Sequence, residues 1–263
     1  SSALARTKLR YALRQELGVA TVTGAAGVGK TELARMVMSD LAQEGWAVAY
    51  VGTLPERAET LLGVLARLWG APPPAAPPLE ALLDQLTRLH EADTRVLALI
   101  DEMHTVRDMA LLEGLRALLN LEADGRRLVN LVLVGQDGMD GLLAQASAFA
   151  SHVALQVRLQ PMSAEETKKY ILYRLKVAGC SRGIFTRRAA ELVYEFSLGL
   201  PRNVNRLCEL ALMTGFGLGA KKIGPDFVRM AAQELGLAPR PDESSPAPGG
   251  RVDILAELAS RQD

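Results

Sequence analysis

The chain has 263 residues, 49% of them hydrophobic, with 30 basic and 30 acidic side chains and no net charge. That length suits one large or two small domains, and the zero balance excludes a global field that would gather nucleic acid or anionic lipid. No run reaches the ~18 apolar residues of a membrane span and no secretory leader opens the chain, while Cys180 and Cys208 stand outside any metal-ligand spacing, as buried free thiols of a reducing compartment do.

In chain order, residues 3–16 carry a helical apolar period that includes Leu4, Leu9, Ala12 and Leu13. Residues 19–23 predict the first strand, and residues 31–42 a helix that ends near Gly45. A second strand is expected over 46–51 and a helix over 58–69, striped by Leu61, Leu62, Leu65 and Leu68. The proline-rich stretch 71–78 must be a loop, followed by an amphipathic helix over 79–90. Residues 95–100 form a nearly continuous apolar strand, the pattern of a sheet covered on both faces. A helix over 108–121, a buried strand over 128–134 and a fifth strand over 153–159 complete the alternation. Strands alternating with helices predict a three-layer α/β domain with a parallel sheet over residues 1–162.

After Pro161 the pattern is only helical. Ser163-Ala164-Glu165-Glu166 reads as a capped helix start. Helices are expected over 164–178, 187–197, 202–215 and 225–235, a small all-helical domain spanning 163–237. The remainder, 238–263, reads as a flexible tail; its linker character begins at Gly236, and residues 252–259 form at most a short amphipathic helix. Charge is uneven along this order. Residues 1–162 hold 15 basic and 18 acidic side chains, residues 163–237 hold 12 and 7, and the tail holds 3 and 5, giving −3, +5 and −2. The basic surplus of 163–237 fits a solvated helical surface, and it also fits a contact face for phosphates, nucleic acid or an acidic neighbour.

Gly24-Ala25-Ala26-Gly27-Val28-Gly29-Lys30-Thr31 matches G-x-x-x-x-G-K-[ST] at every fixed position, between a strand and a helix. Glycines let backbone N–H groups curl around phosphate oxygens, and the helix start adds its positive dipole end. The candidate nucleotide-binding set is this octet with the next residue, Glu32. Lys30 would reach the β- and γ-phosphates and Thr31 would place its hydroxyl on Mg²⁺. A glycine turn that binds nothing would need neither Lys30 nor Thr31. The apolar strand ending Ile100-Asp101-Glu102 supplies the other half, since ligands bind at the carboxyl ends of parallel strands. Asp101 would hold the Mg²⁺ shell and Glu102 would polarise the water attacking the γ-phosphate of ATP. Gln136, just past the strand end Leu133-Val134-Gly135, is a candidate to orient that water or contact the γ-phosphate; a loop-capping amide is the equal alternative. In Gly199-Leu200-Pro201-Arg202, Arg202 sits in a helix's first turn, where a cation is dipole-unfavourable. Contact with phosphates would offset that cost, and a plain surface arginine is the alternative.

This order of motifs resembles the AAA+ ATPases, and within them the secretion ATPases of the ExeA/GspA (general secretion pathway protein A) type. The resemblance covers about residues 9–235. It rests on Ile100-Asp101-Glu102-Met103-His104, Leu118-Leu119-Asn120-Leu121-Glu122, Leu131-Val132-Leu133-Val134-Gly135-Gln136 and Tyr170-Ile171-Leu172-Tyr173-Arg174-Leu175 with Ala178-Gly179. It is strongest at Gly199-Leu200-Pro201-Arg202-Asn203-Val204-Asn205-Arg206-Leu207-Cys208. The resemblance implies an ATP/ADP- and Mg²⁺-dependent ATPase with a helical lid, working as an oligomer, often a hexameric ring, for a secretion, pilus or polysaccharide-export apparatus. It implies Walker A at Lys30 and Thr31, Walker B at Asp101 and Glu102, sensor 1 at Gln136 and sensor 2 at Arg202. It implies a cytoplasmic chain at the inner face of the membrane, held there by a partner or by a segment outside this sequence. The sequence opens without Met, inside a helical pattern, which leaves room for a flank carrying targeting information.

There are two departures. The family commonly has an arginine just before its last strand, where this chain has Ser151-His152-Val153, with Arg126, Arg127 and Arg158 as candidate substitutes. ExeA-type proteins can also carry a membrane span and a cell-wall-binding domain after the ATPase; this sequence has neither, and the linker around 239–250 is where one would attach. Two alternatives stand beside the secretion reading: a DNA-linked regulator of the transposition type, kept by the basic surplus of 163–237, and a slowly hydrolysing nucleotide-gated scaffold.

Overall fold

The computed structural model describes residues 2–72, 77–106, 108–180 and 182–239. Residues 240–263 of the tail expected from 238, including the short helix at 252–259, lie outside them, as do residues 73–76 of the proline-rich loop. By its contacts the chain divides into two units. Among the described residues, one is 2–162 with Leu200–Arg202; the other is Ser163–Gly199 with 203–239.

The first unit opens with α1 (Ser2–Arg14), β1 (Val19–Gly24) and α2 (Lys30–Gln43), then β2 (Ala47–Val51), α3 (Ala58–Leu68), α4 (Pro78–Glu91) and β3 (Val96–Ile100). A 3-10 turn (Met103–Thr105) leads to α5 (Met109–Leu119), a hairpin of β4 (Glu122–Ala123) and β5 (Arg126–Arg127), β6 (Asn130–Val134), α6 (Met139–Gln145), α7 (Ser147–Ala150) and β7 (Val153–Leu159). The five long strands form one parallel sheet in the order β2-β3-β6-β1-β7. β6 is the middle strand and β1 lies between β6 and β7, so that Val22 lies beside both Val134 and Val157.

Every residue of β1, β3 and β6 is buried, as their apolar runs require. Alternate side chains serve opposite faces. Leu97, Leu99, Val132 and Val134 pack with Leu9, Leu13, Leu33, Val37 and Leu41 of α1 and α2. Ala98, Ile100, Leu131 and Leu133 pack with Leu61, Leu65, Leu82, Leu112, Leu115 and Phe149 on the other face. The three-layer α/β expectation describes this arrangement.

Three local features differ from the sequence reading. The strand expected from 128 begins at Asn130, because Leu128 N–H donates to the Leu121 carbonyl at 2.9 Å and extends the small hairpin. That hairpin turns at Asp124 and Gly125, both at positive φ (52° and 74°), the Asp-Gly signal of a tight turn. The helices α6 and α7 have 7 and 4 residues, too short for an apolar period to stand out.

The second unit contains α8 (Ala164–Val177), α9 (Arg187–Ser197), α11 (Pro225–Glu234) and, from Asn203 on, α10 (Pro201–Gly217), whose first two residues belong to the first unit. Ser163 and Glu166 close a reciprocal capping box at 3.2 and 2.9 Å. Ile171, Leu192, Val193, Val204, Leu207, Ile223 and Val228 are its larger buried apolar side chains, with small alanines such as Ala189 and Ala211 between them. Both cysteines are free, and burial pushes the Cys208 thiol up to about 12. Among the described residues no helix is long and apolar enough to cross a membrane.

Candidate functional site

Parallel strands end on the same edge, so the sheet order decides which loops meet. Gly24 ends β1, and Asp101 and Gly135 follow β3 and β6 at the same edge, where the Gly135 N–H donates to the Val22 carbonyl (3.1 Å) and the Asp101 N–H to that of Val51 (2.9 Å). The phosphate-loop octet joins β1 to α2 there. Gly24 has φ 143°, and a Cβ on it would lie 2.5 Å from the Leu159 carbonyl oxygen, so the turn out of β1 has no room for a side chain. Gly27 has φ 78°, and a Cβ on it would lie 2.9 Å from Arg202 Cβ. Ala25 and Ala26 complete the curve, while Val28 turns inward and is buried with Leu33 and Val37. Gly29, at φ 101°, caps α2.

Lys30 is buried, and its ammonium donates to the carbonyls of Gly24 and Ala25, both at 2.9 Å. Burial lowers its pKa, against the pull of Glu102, Asp101 and Asp137. Among the described residues it has no carboxylate within ion-pair distance. The Thr31 hydroxyl donates to Asp101 Oδ2 at 2.7 Å across 70 residues of sequence. Asp101 is buried and well satisfied: Tyr50 donates to the same oxygen at 3.2 Å, and the Glu102 N–H donates to Oδ1 at 2.8 Å. Arg35 lies 4.5 Å over the Tyr50 ring.

Glu102 is exposed and has φ 57°, uncommon for a residue with a Cβ. Its carbonyl accepts from the Thr105 hydroxyl and N–H at 2.8 and 2.9 Å, which holds the strained turn. Its carboxylate lies 3.3 Å from His104 Nδ1, and His104 Nε2 lies 2.8 Å from the Gln136 amide nitrogen. Arg202 is exposed; its N–H donates to the Gly27 carbonyl at 3.2 Å, which sets it beside the loop. Glu32 is exposed in the first turn of α2, and no contact ties its carboxylate to Lys30, Thr31 or Asp101.

The structure therefore brings together the octet, Asp101, Glu102, Gln136 and Arg202. Sequence reasoning missed Tyr50 and gave His104 no role. A polar side chain one residue from the end of β2 was the available signal for Tyr50. The candidate substitutes for the missing arginine separate. Arg126 pairs with Glu16 and Asp93 at the opposite edge of the sheet, and Arg127 sits by Gly18. Arg158 is in register with Thr23 and pairs with Asp137 at 3.0 Å, on the same edge as the loop.

The donor set fits Mg²⁺: a hydroxyl and a carboxylate are hard oxygen ligands. Among the described residues no three His, Cys, Asp or Glu side chains converge into a metal cage. An ion here would draw its other ligands from phosphate and water, as Mg²⁺ commonly does.

Comparison with known proteins bears on the family and the fold. Residues 13–143 match the model of a AAA domain. General secretion pathway protein A of Aeromonas hydrophila is 33% identical over 236 residues, covering 86% of this chain, and the chain spans 42% of that relative's length. Among solved structures, the Aeropyrum pernix ORC2 protein in its ADPNP-ADP complexes superposes with TM-score 0.71 at 21% identity, over 89% of this chain and 66% of that one. The Thermotoga maritima RuvB Holliday junction branch migration motor gives 0.62 at 22% identity, over 89% and 70%. These two likenesses speak for the fold. Motif, sheet order and relatives converge: the chain belongs to the AAA-domain family with the P-loop ATPase fold, and is of the general secretion pathway protein A type.

Proposed function

We propose that this chain binds Mg-ATP at the loop 24–31 and hydrolyses it, as an oligomer, to drive or switch assembly of a secretion, pilus or polysaccharide-export apparatus on the cytoplasmic side of a membrane. The observation that carries the nucleotide reading is the 2.7 Å bond from Thr31 to Asp101, two residues far apart in sequence joined beside a buried lysine that lacks a carboxylate partner. In this reading the backbone N–H groups of Gly24 to Thr31 cradle phosphate oxygens and Lys30 exchanges its two carbonyl partners for phosphate. Thr31 and Asp101 hold Mg²⁺, which supplies charge neutralisation on the phosphates. Glu102 accepts the proton of the attacking water. Gln136 and Arg202 face the γ-phosphate side. Glu32 acts through the helix start it occupies, in the first turn of α2. Arg158 is our choice among the substitute arginines, and it would act within its own subunit.

The secretion role rests on the general secretion pathway relative, and the homo-oligomer, with a ring of six, rests on the resemblance to the AAA+ ATPases. A DNA-linked function is the second reading, supported by the +5 balance of residues 163–237. ATPase rate measured against protein concentration, with and without duplex DNA and beside light scattering for mass, tests both. A specific rate that climbs as oligomers form is expected. A flat and very low rate would point to a nucleotide-gated scaffold, and stimulation by DNA with steep salt dependence would favour the second reading.

A further inference from the structure

His104 occupies a place that no part of the phosphate-loop chemistry requires. It stands on the 3-10 turn after β3, while Gln136 follows β6, and its two ring nitrogens face the two polar groups proposed to meet the attacking water and the γ-phosphate. Nε2 is 2.8 Å from the Gln136 amide nitrogen. Nδ1 is buried without a hydrogen bond, and Glu102 Oε2 is 3.3 Å from it. A buried ring nitrogen left unpaired costs free energy that a small rotation of the half-exposed Glu102 side chain recovers. Glu102 cannot drift far at the backbone, because its positive-φ turn is tied by Thr105 and by Asp101 Oδ1.

We propose that His104 is a positioning residue that couples Glu102 to Gln136. The inference rests on the ATPase reading for its consequence in turnover, but its geometry stands in the nucleotide-free chain.

The proton inventory fixes how the coupling works. In the neutral imidazole, one nitrogen donates and the other accepts. With the Gln136 NH₂ facing the ring, Nε2 accepts and the single proton sits on Nδ1, aimed at the Glu102 carboxylate. The opposite tautomer would leave the Nδ1 lone pair against a carboxylate, two acceptors with nothing between them. So the neutral ring holds both neighbours at once: it draws the carboxylate toward Nδ1 and commits one amide hydrogen of Gln136. The Gln136 carbonyl and its second amide hydrogen stay free for water or phosphate. Removing the ring releases both side chains together, which is what distinguishes a coupler from a space-filling histidine.

The test uses imidazole ¹⁵N–¹H spectra of the full chain. It has three histidines, and His104→Phe identifies the signals of interest. The expected result is an Nδ1–H tautomer whose signals move in both Glu102→Gln and Gln136→Ala. Signals unmoved by either change, or an Nε2–H tautomer, would overturn the coupling even if the chain hydrolyses ATP well. A second arm reads turnover. His104→Phe should keep affinity for a fluorescent ADP analogue and lower kcat by roughly ten- to a hundred-fold, the size of effect a small misplacement of reacting groups brings. In the His104→Phe background, Gln136→Ala should then cost much less than it does in the parent chain. His104→Gln, which can still reach Gln136, should recover part of the loss. Additive effects, or lost ADP binding in place of lost kcat, would mean a structural role only. If the parent chain shows no turnover at all, the ATPase reading fails by itself, and the spectra still decide the coupling.

Discussion

The two edges of the central sheet are both rich in charge, yet they are built on opposite plans. At the amino edge, Arg14, Arg95 and Arg126 line a cavity of about 630 Å³ with Glu16, Glu44 and Asp93. There Arg14 pairs with Glu44, Arg126 with Glu16 and Asp93, and Arg95 with Glu16 while stacking over Trp46. The cations are neutralised by the chain itself. At the carboxyl edge, Lys30 is held by two backbone carbonyls, and Arg202 forms no ion pair among the described residues. The acids are handled differently too: Asp101 is buried and saturated with donors, while Glu102 is exposed and held in a strained turn. What marks a site for an anion is therefore not the number of charges or the size of the hollow. It is positive charge that the protein leaves without a carboxylate, beside backbone N–H groups at a helix start.

The contrast is broken most directly at Lys30. Lys30→Ala should weaken ATP binding by roughly ten- to a hundred-fold, the worth of a charged hydrogen bond. Arg126→Ala, at the other edge, should leave that affinity within about twofold, since its charge meets carboxylates and not ligand. Calorimetric titration of both variants checks the pair; equal losses would erase the distinction between the edges. Next in size is Glu102→Gln, expected to keep nucleotide affinity while turnover falls by on the order of 10²-fold or more, the contribution of a positioned base. A variant with the parent's turnover would show that the water is activated elsewhere.

The smallest effect belongs to the self-neutralised face of α1 and α2. Hydrogen bonds from Arg6 hold the Asp40 carboxyl below its usual range, and those from Arg14 do the same for Glu44. A carboxyl with a depressed folded-state pKa stabilises the fold above its unfolded-state value and loses that contribution as pH falls through the depressed value. Asp40→Asn should therefore lower Tm slightly at neutral pH, by less in high salt, and the gap to the parent should close in acid. A gap that widens as pH falls would contradict the assigned pairing.

Much of the site was legible before any fold was known, because its motifs are short-range. The glycine spacing of 24–31, the strand before it and the helix after it lie within a few residues of one another, so local pattern suffices. The same holds for the apolar run ending in Asp101-Glu102 and for the Ser163–Glu166 capping box. The Asp124-Gly125 turn was equally local, and its hairpin was missed only because strands of two residues leave no alternation to read. Tyr50 and His104 were different. Each is unremarkable among its sequence neighbours and gains meaning only from a strand that is distant in the chain.

By itself, then, the sequence determined the longer elements, the phosphate-loop motif and the acidic strand end, since backbone preference, apolar period and glycine φ are properties of neighbouring residues. Only the tertiary structure decided that β3 and β6 lie between β2 and β1. That order brings Asp101 to Thr31, joins Gln136 to His104 across 32 residues, and sends Arg126 to the far edge while Arg158 stays near the loop. Strand order follows from how two apolar faces are buried at once against helices on either side, a condition on the whole sheet that no single segment can express.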